Sequence, residues 1–311
     1  MENYNTITMI KDEINRVFVG KEDVVDLMLT AFLAGGHVLL EDVPGVGKTT
    51  LAASLAKVIT CSFGRIQFTP DTLPGDITGV SIYNMKTGEF EFREGVVVNQ
   101  ILLADEINRT SPKTQSSLLE AMAERRITVD GNVYELPRPF MVLATQNPIE
   151  FMGTYPLPEA QMDRFMMRLS IGYPERGDEI RMARQYIMGT TYEQIQPVCP
   201  AEVIVAIQET VRNIKVHEDV LGYIADIIEL TRKEERFVLG ASPRALLALV
   251  SASQAAAFLK GREYCKPDDV KAMAHPVLAH RIVLTPEARL KQENIASILK
   301  SLVLRVKVPI V

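Results

Sequence analysis

A run of small residues near the start of the chain ends in a lysine and a threonine: Pro44-Gly45-Val46-Gly47-Lys48-Thr49. An apolar stretch, residues 37–40, precedes it, and a helical pattern, residues 49–58, follows it. Glycines let the backbone turn so tightly that its N–H groups face one point, and the positive end of the following helix faces the same point. This pattern predicts a site for nucleotide phosphates, with Lys48 neutralising the β- and γ-phosphates and the Thr49 hydroxyl on Mg²⁺.

One position departs from the usual form of such a loop. The GxxxxGK[ST] pattern begins with glycine, and this chain has Asp42 there. The backbone is less free at aspartate than at glycine, although aspartate tolerates unusual turns better than most residues. On this motif alone, a glycine-rich turn that binds no nucleotide stays open as the alternative. The residues expected to contact nucleotide are Val43, Pro44, Gly45, Val46, Gly47, Lys48, Thr49 and Thr50.

Two adjacent carboxylates follow a second apolar stretch. Residues 101–104 predict a buried strand, and Asp105 and Glu106 come directly after it. Ligands of open α/β sheets bind at the carboxyl ends of the strands, so both side chains are expected at the ligand edge. Asp105 would hold Mg²⁺ through its waters, and Glu106 would orient and polarise an attacking water as a general base. An apolar strand that ends in two acids is a weak signal alone, but its order and spacing after the phosphate loop fit one βαβ core.

An asparagine ends the next apolar stretch. Asn147 follows residues 141–146, and its neutral amide is of the type that positions water against a γ-phosphate. Asn-Pro is also a common turn dipeptide, so a turn residue without chemistry is the alternative.

These side chains need a sheet to hold them together. Short apolar stretches separated by helical patterns predict a parallel sheet with helices on both faces, which is an α/β fold. Two inserted hairpins are also predicted, one within residues 79–98 and one at residues 127–135 around Asp130-Gly131, a strong two-residue turn signal. The predicted strands of the sheet are residues 37–40, 65–68, 100–104, 140–145 and 169–171.

The pattern changes after the segment Gly172-Tyr173-Pro174. From residue 178 onward it is helical, with no strand signal except in the last few residues. We therefore expect a nucleotide-binding α/β domain at residues 1–174 and a smaller, all-helical domain at residues 175–311.

Composition limits the class of partner. The formal net charge is -5 and the sequence pI is about 5.6, with no dense block of lysine and arginine, which argues against nucleic acid. The three cysteines lack metal-ligand spacing, as do the four histidines. The first fourteen residues are polar and lack the apolar segment of a secretory signal, so we expect a cytoplasmic protein.

The motifs together resemble the AAA+ ATPases, and within them the MoxR family, from about Val19 to Arg281. The phosphate loop is family-like with Asp42 included. The resemblance implies a P-loop AAA+ core with a helical lid, ATP and Mg²⁺ as cofactors, and an inserted hairpin of the helix-2-insert clade. The other family-like segments are residues 105–109, 112–115, 118–122, 144–148, 157–165 and 240–245.

The resemblance also implies roles for individual residues. Asn147 would be sensor 1, and Arg164 the arginine finger that reaches the γ-phosphate of a neighbouring subunit. Arg244 would be sensor 2. Because the lid of this clade is displaced, two possibilities stay open: Arg244 acts on the nucleotide of its own subunit, or on that of a neighbouring subunit. The segment Val19-Gly20 resembles the one that packs on adenine. The role of Arg109, which also could face a subunit boundary, stays open.

Each arginine has a plainer alternative. Arg164 would then form a surface ion pair with Asp163 or Glu159, and Arg244 would be no more than an arginine near the start of a helix.

The resemblance implies a homo-oligomeric ring, a hexamer, that remodels or activates protein complexes. A separate protein with a von Willebrand factor A domain is an expected partner, because this chain has no DxSxS metal motif of its own. Three alternatives remain: a nucleotide-gated switch with slow turnover, a chelatase-like subunit, and a nucleic-acid-associated motor.

Overall fold

The computed structural model describes residues 2–147 and 154–309. Its strands are β1 (Val38–Glu41), β2 (Phe63–Gln67), β3 (Gly79–Asn84), β4 (Glu89–Glu94), β5 (Ile101–Asp105), β6 (Arg126–Val129), β7 (Asn132–Glu135), β8 (Met141–Gln146), β9 (Met167–Leu169), β10 (Phe237–Leu239) and β11 (Val283–Leu284). Its helices are α1 (Glu2–Val17), α2 (Glu22–Leu33), α3 (Lys48–Val58), α4 (Pro74–Thr78), α5 (Pro112–Glu124), α6 (Glu159–Met162), α7 (Arg176–Ile187), α8 (Ala201–Arg212), α9 (Glu218–Lys233), α10 (Pro243–Leu259), α11 (Pro267–Leu278), α12 (Pro286–Leu290) and α13 (Ile295–Arg305).

Five parallel strands form the central sheet, in the order β2-β5-β8-β1-β9. Successive residues of a strand face opposite sides, and on the three central strands, β5, β8 and β1, both sides are buried. On β5, Ile101 and Leu103 join one apolar cluster, whereas Leu102 and Ala104 join another across the sheet. Burial on both faces explains why the strands appear in the sequence as continuous apolar stretches.

Helices and hairpins cover the two faces. The larger cluster combines residues of α1, α2 and α3 with residues of the later helices α8, α9, α10, α11 and α13, and the smaller cluster contains the apolar side of α5. The predicted fold, an AAA+ core of parallel sheet and helices with a helical lid, is confirmed. Within the described ranges, no helix combines the length and apolar composition that a bilayer crossing requires.

The last strand of the sheet differs from its prediction. It was expected at residues 169–171, but β9 ends at Leu169. The chain leaves the sheet there because the backbone amide of Ile171 donates to the Asp42 carboxylate, at 2.7 Å, instead of to a neighbouring strand.

The second part of the chain also contains a small sheet, which the sequence did not predict. Strands β10 and β11 pair antiparallel, with Phe237 opposite Leu284. These strands have three and two residues, too few to show a period of two. A strand signal was also considered for the last few residues; of these, the described residues 306–309 form no strand.

Two hairpins project from the smaller cluster. In the first, β3 pairs with β4; in the second, β6 pairs with β7 through a turn in which Asp130 and Gly131 both have positive φ. Phe92 and Tyr134 stack at a centroid distance of 4.1 Å and join the two hairpins. Both predicted hairpins are therefore present, and they are packed on each other.

The domain boundary at residues 172–174 stays a prediction. The larger apolar cluster is a single one and has members from Ile7 in α1 to Val306, directly after α13. The later helices therefore share a core with the amino-terminal helices.

Candidate active site

The phosphate loop lies between β1 and α3, at the carboxyl edge of the sheet. Gly45 and Gly47 have φ values of +88° and +92°, a conformation that other residues rarely adopt, and Gly47 directly precedes the first turn of α3. A Cβ built on Gly47 would lie 3.0 Å from the Phe18 ring, whereas one on Gly45 would meet nothing within 4 Å. The loop therefore has the backbone that a phosphate cradle requires, and the positive end of α3 faces it.

Asp42 has a structural role that the sequence did not reveal. Its buried carboxylate accepts hydrogen bonds from the backbone amides of Ile171 at 2.7 Å and Gly172 at 2.9 Å, and from the Ser170 hydroxyl at 2.9 Å. The aspartate thus ties the loop to the segment that follows β9. This contact explains why the position is not glycine.

Lys48 reaches back over the loop. Its ammonium group donates to the Asp42 carbonyl oxygen at 2.7 Å. Burial lowers the pKa of Lys48, and the negative charges of Asp42, Asp105 and Glu106 oppose that shift. The three acids therefore favour the charged form of the lysine beside the loop.

Asp105 ends β5 beside this loop. Its Oδ1 accepts a hydrogen bond from the Thr145 hydroxyl at 3.4 Å, and its Oδ2 lies 2.8 Å from Nε of Arg65. The Thr145 hydroxyl in turn accepts a hydrogen bond from the Glu106 amide at 2.9 Å. Neighbouring parallel strands therefore orient Asp105 from two sides.

Glu106 has a left-handed backbone, with φ of 57°, which turns its side chain away from the strand direction. Its Oε2 accepts a hydrogen bond from the Gln67 amide at 2.7 Å and lies 3.0 Å from Nε of Arg109. Arg65 and Gln67 were not predicted as site residues. The available signal was their spacing within the predicted strand 65–68, because residues two apart lie on one face.

These groups enclose one polar cavity of about 350 Å³. The structure brings together the residues predicted for phosphate, metal and water, and adds others. The cavity is lined by Asp42, Pro44, Gly45, Gly47, Lys48, Thr49, Arg65, Gln67, Asp105, Glu106, Thr145 and Asn147.

A second, more apolar cavity of about 660 Å³ adjoins the other side of the loop. Gly45, Val46, Gly47 and Thr50 line it, together with Val19 from the segment after α1; Tyr173, Met182 and Tyr186 are among the residues on its far wall. Two predicted contact residues lie outside both linings. Val43 packs against the larger apolar cluster, and Gly20 lies against Asp178, which a Cβ on the glycine would overlap.

The two predicted arginines lie elsewhere. Arg164 and Arg244 both line a third cavity, of about 260 Å³, with His37 and Gly35. His37 directly precedes β1, whereas the phosphate loop follows β1, so this cavity lies at the opposite edge of the sheet. Neither arginine lines the cavity that contains Lys48.

The contacts of these arginines are specific. Arg164 donates to the Leu119 carbonyl oxygen at 2.6 Å, while Asp163 pairs with Arg281 at 2.7 Å. The Ser242 hydroxyl donates to the Asp163 carboxylate and accepts a hydrogen bond from the Ala245 amide, so it ties the first turn of α10 to the arginine segment. Arg244 lies in that turn, and the two arginines are thus held side by side.

Comparison with known proteins agrees with this geometry. Residues 37–167 match the ATPase family associated with various cellular activities (AAA), and residues 229–302 match the AAA lid domain. The chain is 43% identical to chaperone MoxR1 of Mycobacterium tuberculosis, over 89% of this chain and 75% of that protein. It is 32% identical to protein MoxR of Paracoccus denitrificans, over 90% of this chain and 89% of that protein.

The chain belongs to the MoxR family of AAA+ ATPases. This family member is also 50% identical to the uncharacterized protein YeaC of Bacillus subtilis, over 96% of this chain and 93% of that one. A solved structure of a proposed ATPase from Cytophaga hutchinsonii superposes with a TM-score of 0.93 at 38% identity, covering 99% of this chain and 96% of the other.

Proposed function

We propose that this MoxR family member binds ATP with Mg²⁺ and hydrolyses it. One observation carries the proposal: Lys48, Thr49, Asp105, Glu106 and Asn147 line a single cavity at the carboxyl edge of the sheet. They come from three separate segments of the chain, and their chemistry matches the needs of a triphosphate and an attacking water. Family membership supports the same reaction.

The donor set fits the nucleotide phosphates and the metal. Backbone amides of the glycine loop and the Lys48 ammonium would hold the phosphates. Thr49 and Asp105 would hold Mg²⁺, which uses one or two protein oxygens, with waters and phosphate oxygens as its other ligands. When bound, the ion would neutralise phosphate charge. The larger, more apolar cavity lined by Val19 would take the adenine.

Glu106 would accept a proton from the attacking water while Asn147 orients that water. The Gln67 amide and Arg109 fix the glutamate carboxylate, at 2.7 and 3.0 Å. A general base must be held within hydrogen-bonding reach of its proton, so these two contacts set its position.

The remaining charge compensation would come from a neighbouring copy of this chain. Arg164 and Arg244 lie at the opposite edge of the sheet from Lys48, side by side on one surface. In a closed ring each subunit presents one edge to its neighbour's other edge, so this surface would meet the neighbour's phosphates. We therefore assign both arginines to the adjacent subunit's site, in a ring of six.

ATP turnover in such a ring would drive the remodelling or activation of partner proteins. A similar protein, from M. tuberculosis, is named a chaperone. The two stacked hairpins expose apolar side chains, among them Met85 at 91% and Phe90 at 73% exposure, which suit contact with a client. A protein with a von Willebrand factor A domain is the partner we propose to test first.

A nucleotide-gated switch with slow turnover is the second candidate. The ion pair between Glu106 and Arg109 favours it, because a carboxylate oxygen held by a cation is less available to an attacking water. A basal rate per subunit that stays low and constant as protein concentration rises would support the switch.

The deciding experiment compares wild type with Glu106→Gln. The variant should bind ATP with wild-type affinity and hydrolyse it at least about tenfold more slowly, roughly 1.4 kcal/mol on the barrier. Steady-state hydrolysis would be measured with Mg²⁺ over a range of protein concentrations. A rate per subunit that rises with concentration in wild type supports a shared site. Equal rates for the two proteins would remove Glu106 from the mechanism.

A further inference from the structure

Arg65 is a second cation in the phosphate cavity, and neither the loop motif nor the proposed reaction uses it. Its Nε lies 2.8 Å from Oδ2 of Asp105, the carboxylate proposed to hold the metal. The Asp105 side chain is 11% exposed, whereas that of Arg65 is 51% exposed. Their ion pair thus joins a half-exposed cation to a nearly buried anion.

The strand register creates this contact. β2 and β5 are parallel neighbours, with Arg65 opposite Leu103 and Gln67 opposite Asp105. Residues two apart on a strand face the same side, so Arg65 reaches Asp105 while Gln67 reaches Glu106. Strand β2 therefore supplies one hydrogen-bond donor to each of the two acids.

A contribution to folding stability does not explain this ion pair well. Ion pairs with an exposed member contribute little to stability, commonly about 0–1 kcal/mol. The anion here is instead one of the few oxygen donors that the cavity offers to a cation. The contact therefore bears on what Asp105 binds.

We propose that Arg65 competes with the divalent cation for Asp105, so that the site takes the metal tightly only together with the nucleotide. The inference rests on the proposed function and adds a positioning residue to it. Mg²⁺ requires oxygen ligands at short distance in a strict octahedron, and a guanidinium on the same carboxylate repels a doubly charged ion. The charge of the nucleotide phosphates compensates for that repulsion, so a triphosphate restores metal binding.

The test uses Mn²⁺ as a paramagnetic probe, because its binding is measured directly without turnover. Free Mn²⁺ would be titrated by electron paramagnetic resonance against full-length wild type, Arg65→Gln and Arg65→Lys, each without nucleotide. Lys11→Gln is the matched control, since Lys11 forms an ion pair of the same 2.8 Å length with Asp26, outside the phosphate cavity.

Arg65→Gln should bind Mn²⁺ about five- to tenfold more tightly than wild type, the scale of a typical net hydrogen bond. The Mn²⁺ affinity of Arg65→Lys should lie closer to that of wild type, because lysine retains the positive charge. The affinity of Lys11→Gln should equal that of wild type. The added affinity should vanish in the double variant Arg65→Gln, Asp105→Asn. Unchanged Mn²⁺ affinity in Arg65→Gln, or tight binding that survives loss of Asp105, overturns the proposal.

A nucleotide titration separates this role from a direct phosphate contact. Fluorescent ADP and ATP analogues would be titrated in EDTA, where only the protein's own cations hold phosphate. Equal affinities for wild type and Arg65→Gln support competition at Asp105. A large loss of affinity in Arg65→Gln makes Arg65 a phosphate ligand and overturns it.

Failure of the proposed function would look different. If wild type binds no nucleotide with or without Mn²⁺, the ATPase proposal fails, whatever Arg65 does. If wild type binds and hydrolyses ATP but Arg65→Gln has wild-type Mn²⁺ affinity, only the inference about Arg65 fails.

Discussion

Asp42 occupies the position at which a phosphate loop commonly has glycine, and the structure gives it a different task. Its carboxylate accepts two backbone amides and a hydroxyl from residues 170–172. Those amides belong to the chain segment between the sheet and α7, which also lines the larger cavity. The Asp42 side chain therefore links the proposed phosphate cradle to the wall of the cavity proposed for adenine.

The substitution Asp42→Gly tests that task. It restores the common loop pattern, yet we expect it to lower the free energy of unfolding by about 2–4 kcal/mol, because two amides lose a charged acceptor and the Ile171 amide is buried. Chemical denaturation would measure the change. Asp130→Gly is the control, since that aspartate sits at a hairpin turn with φ of 49°, where glycine is well tolerated. A stable Asp42→Gly protein would contradict the assignment.

His37 is buried at the start of β1, at the edge opposite the phosphate loop. Its Nδ1 accepts a hydrogen bond from the Val142 amide at 3.0 Å, and its Nε2 lies 3.1 Å from the Met122 carbonyl oxygen. Burial lowers the pKa of His37 from the ordinary value of 6.5 to about 4. The imidazole is therefore neutral in the folded protein at neutral pH.

A pH dependence of stability follows. Between about pH 6.5 and 4 the unfolded chain binds a proton at His37 and the folded chain does not, so stability falls as pH falls through that window. From pH 7 to pH 5 the loss from this residue should be about 2 kcal/mol.

Denaturation of wild type and His37→Gln at both pH values would measure it, with His217→Gln, an exposed histidine, as control. The difference between pH 7 and pH 5 should shrink in His37→Gln only. If the stability difference between pH 7 and pH 5 is the same in His37→Gln as in wild type, protonation of His37 does not cause the loss of stability.

At the scale of elements, the first turn of α10 is fixed to the segment that carries Arg164. Ser242 caps the helix through the Ala245 amide, at 3.1 Å, and donates to Asp163, the neighbour of Arg164. Thr285 caps α12 in the same way, through the Ala288 amide at 3.2 Å. The two caps resemble each other, but only Ser242 bridges to the arginine segment.

The pair Ser242→Ala and Thr285→Ala separates capping from positioning. Each should lower the free energy of unfolding by about 1 kcal/mol, the usual effect of losing a cap. Only Ser242→Ala should also lower ATP hydrolysis per subunit, with nucleotide affinity unchanged, because Arg244 and Arg164 lose their common anchor. Denaturation and steady-state kinetics at high protein concentration would show this. Equal activity of the two variants would count against the positioning role.

At the scale of the whole molecule, the separation of Arg164 and Arg244 from Lys48 has a consequence for mixed assemblies. Glu106→Gln and Arg164→Ala should each be inactive alone. Mixed in equal amounts they should recover about a quarter of the wild-type rate, because random assembly leaves about one interface in four with both residues intact. ATP hydrolysis after co-assembly measures this recovery, and its absence would contradict a shared site.

The same experiment decides which subunit Arg244 serves. If Arg244 acts on the neighbour, Arg244→Ala mixed with Glu106→Gln should recover activity as Arg164→Ala does. If it acts on its own subunit, no chain in the mixture has both residues and no activity returns.

The sequence by itself determined the local parts of this protein. Alternation of apolar strands and helices predicted the sheet, and strand-end positions predicted that Lys48, Asp105, Glu106 and Asn147 would meet. This worked because parallel strands align their carboxyl ends, so strand order along the chain is enough to place those side chains at one edge.

Only the tertiary structure decided which distant groups touch. The contact of Asp42 with Ile171, the ion pair of Arg65 with Asp105, and the pairing of β10 with β11 join residues far apart in sequence. Arg244 lies beside Arg164 at the far edge because Ser242, at the start of α10, donates to Asp163. Such contacts depend on strand register and helix packing, which local periodicity does not encode, so they became visible only in the folded chain.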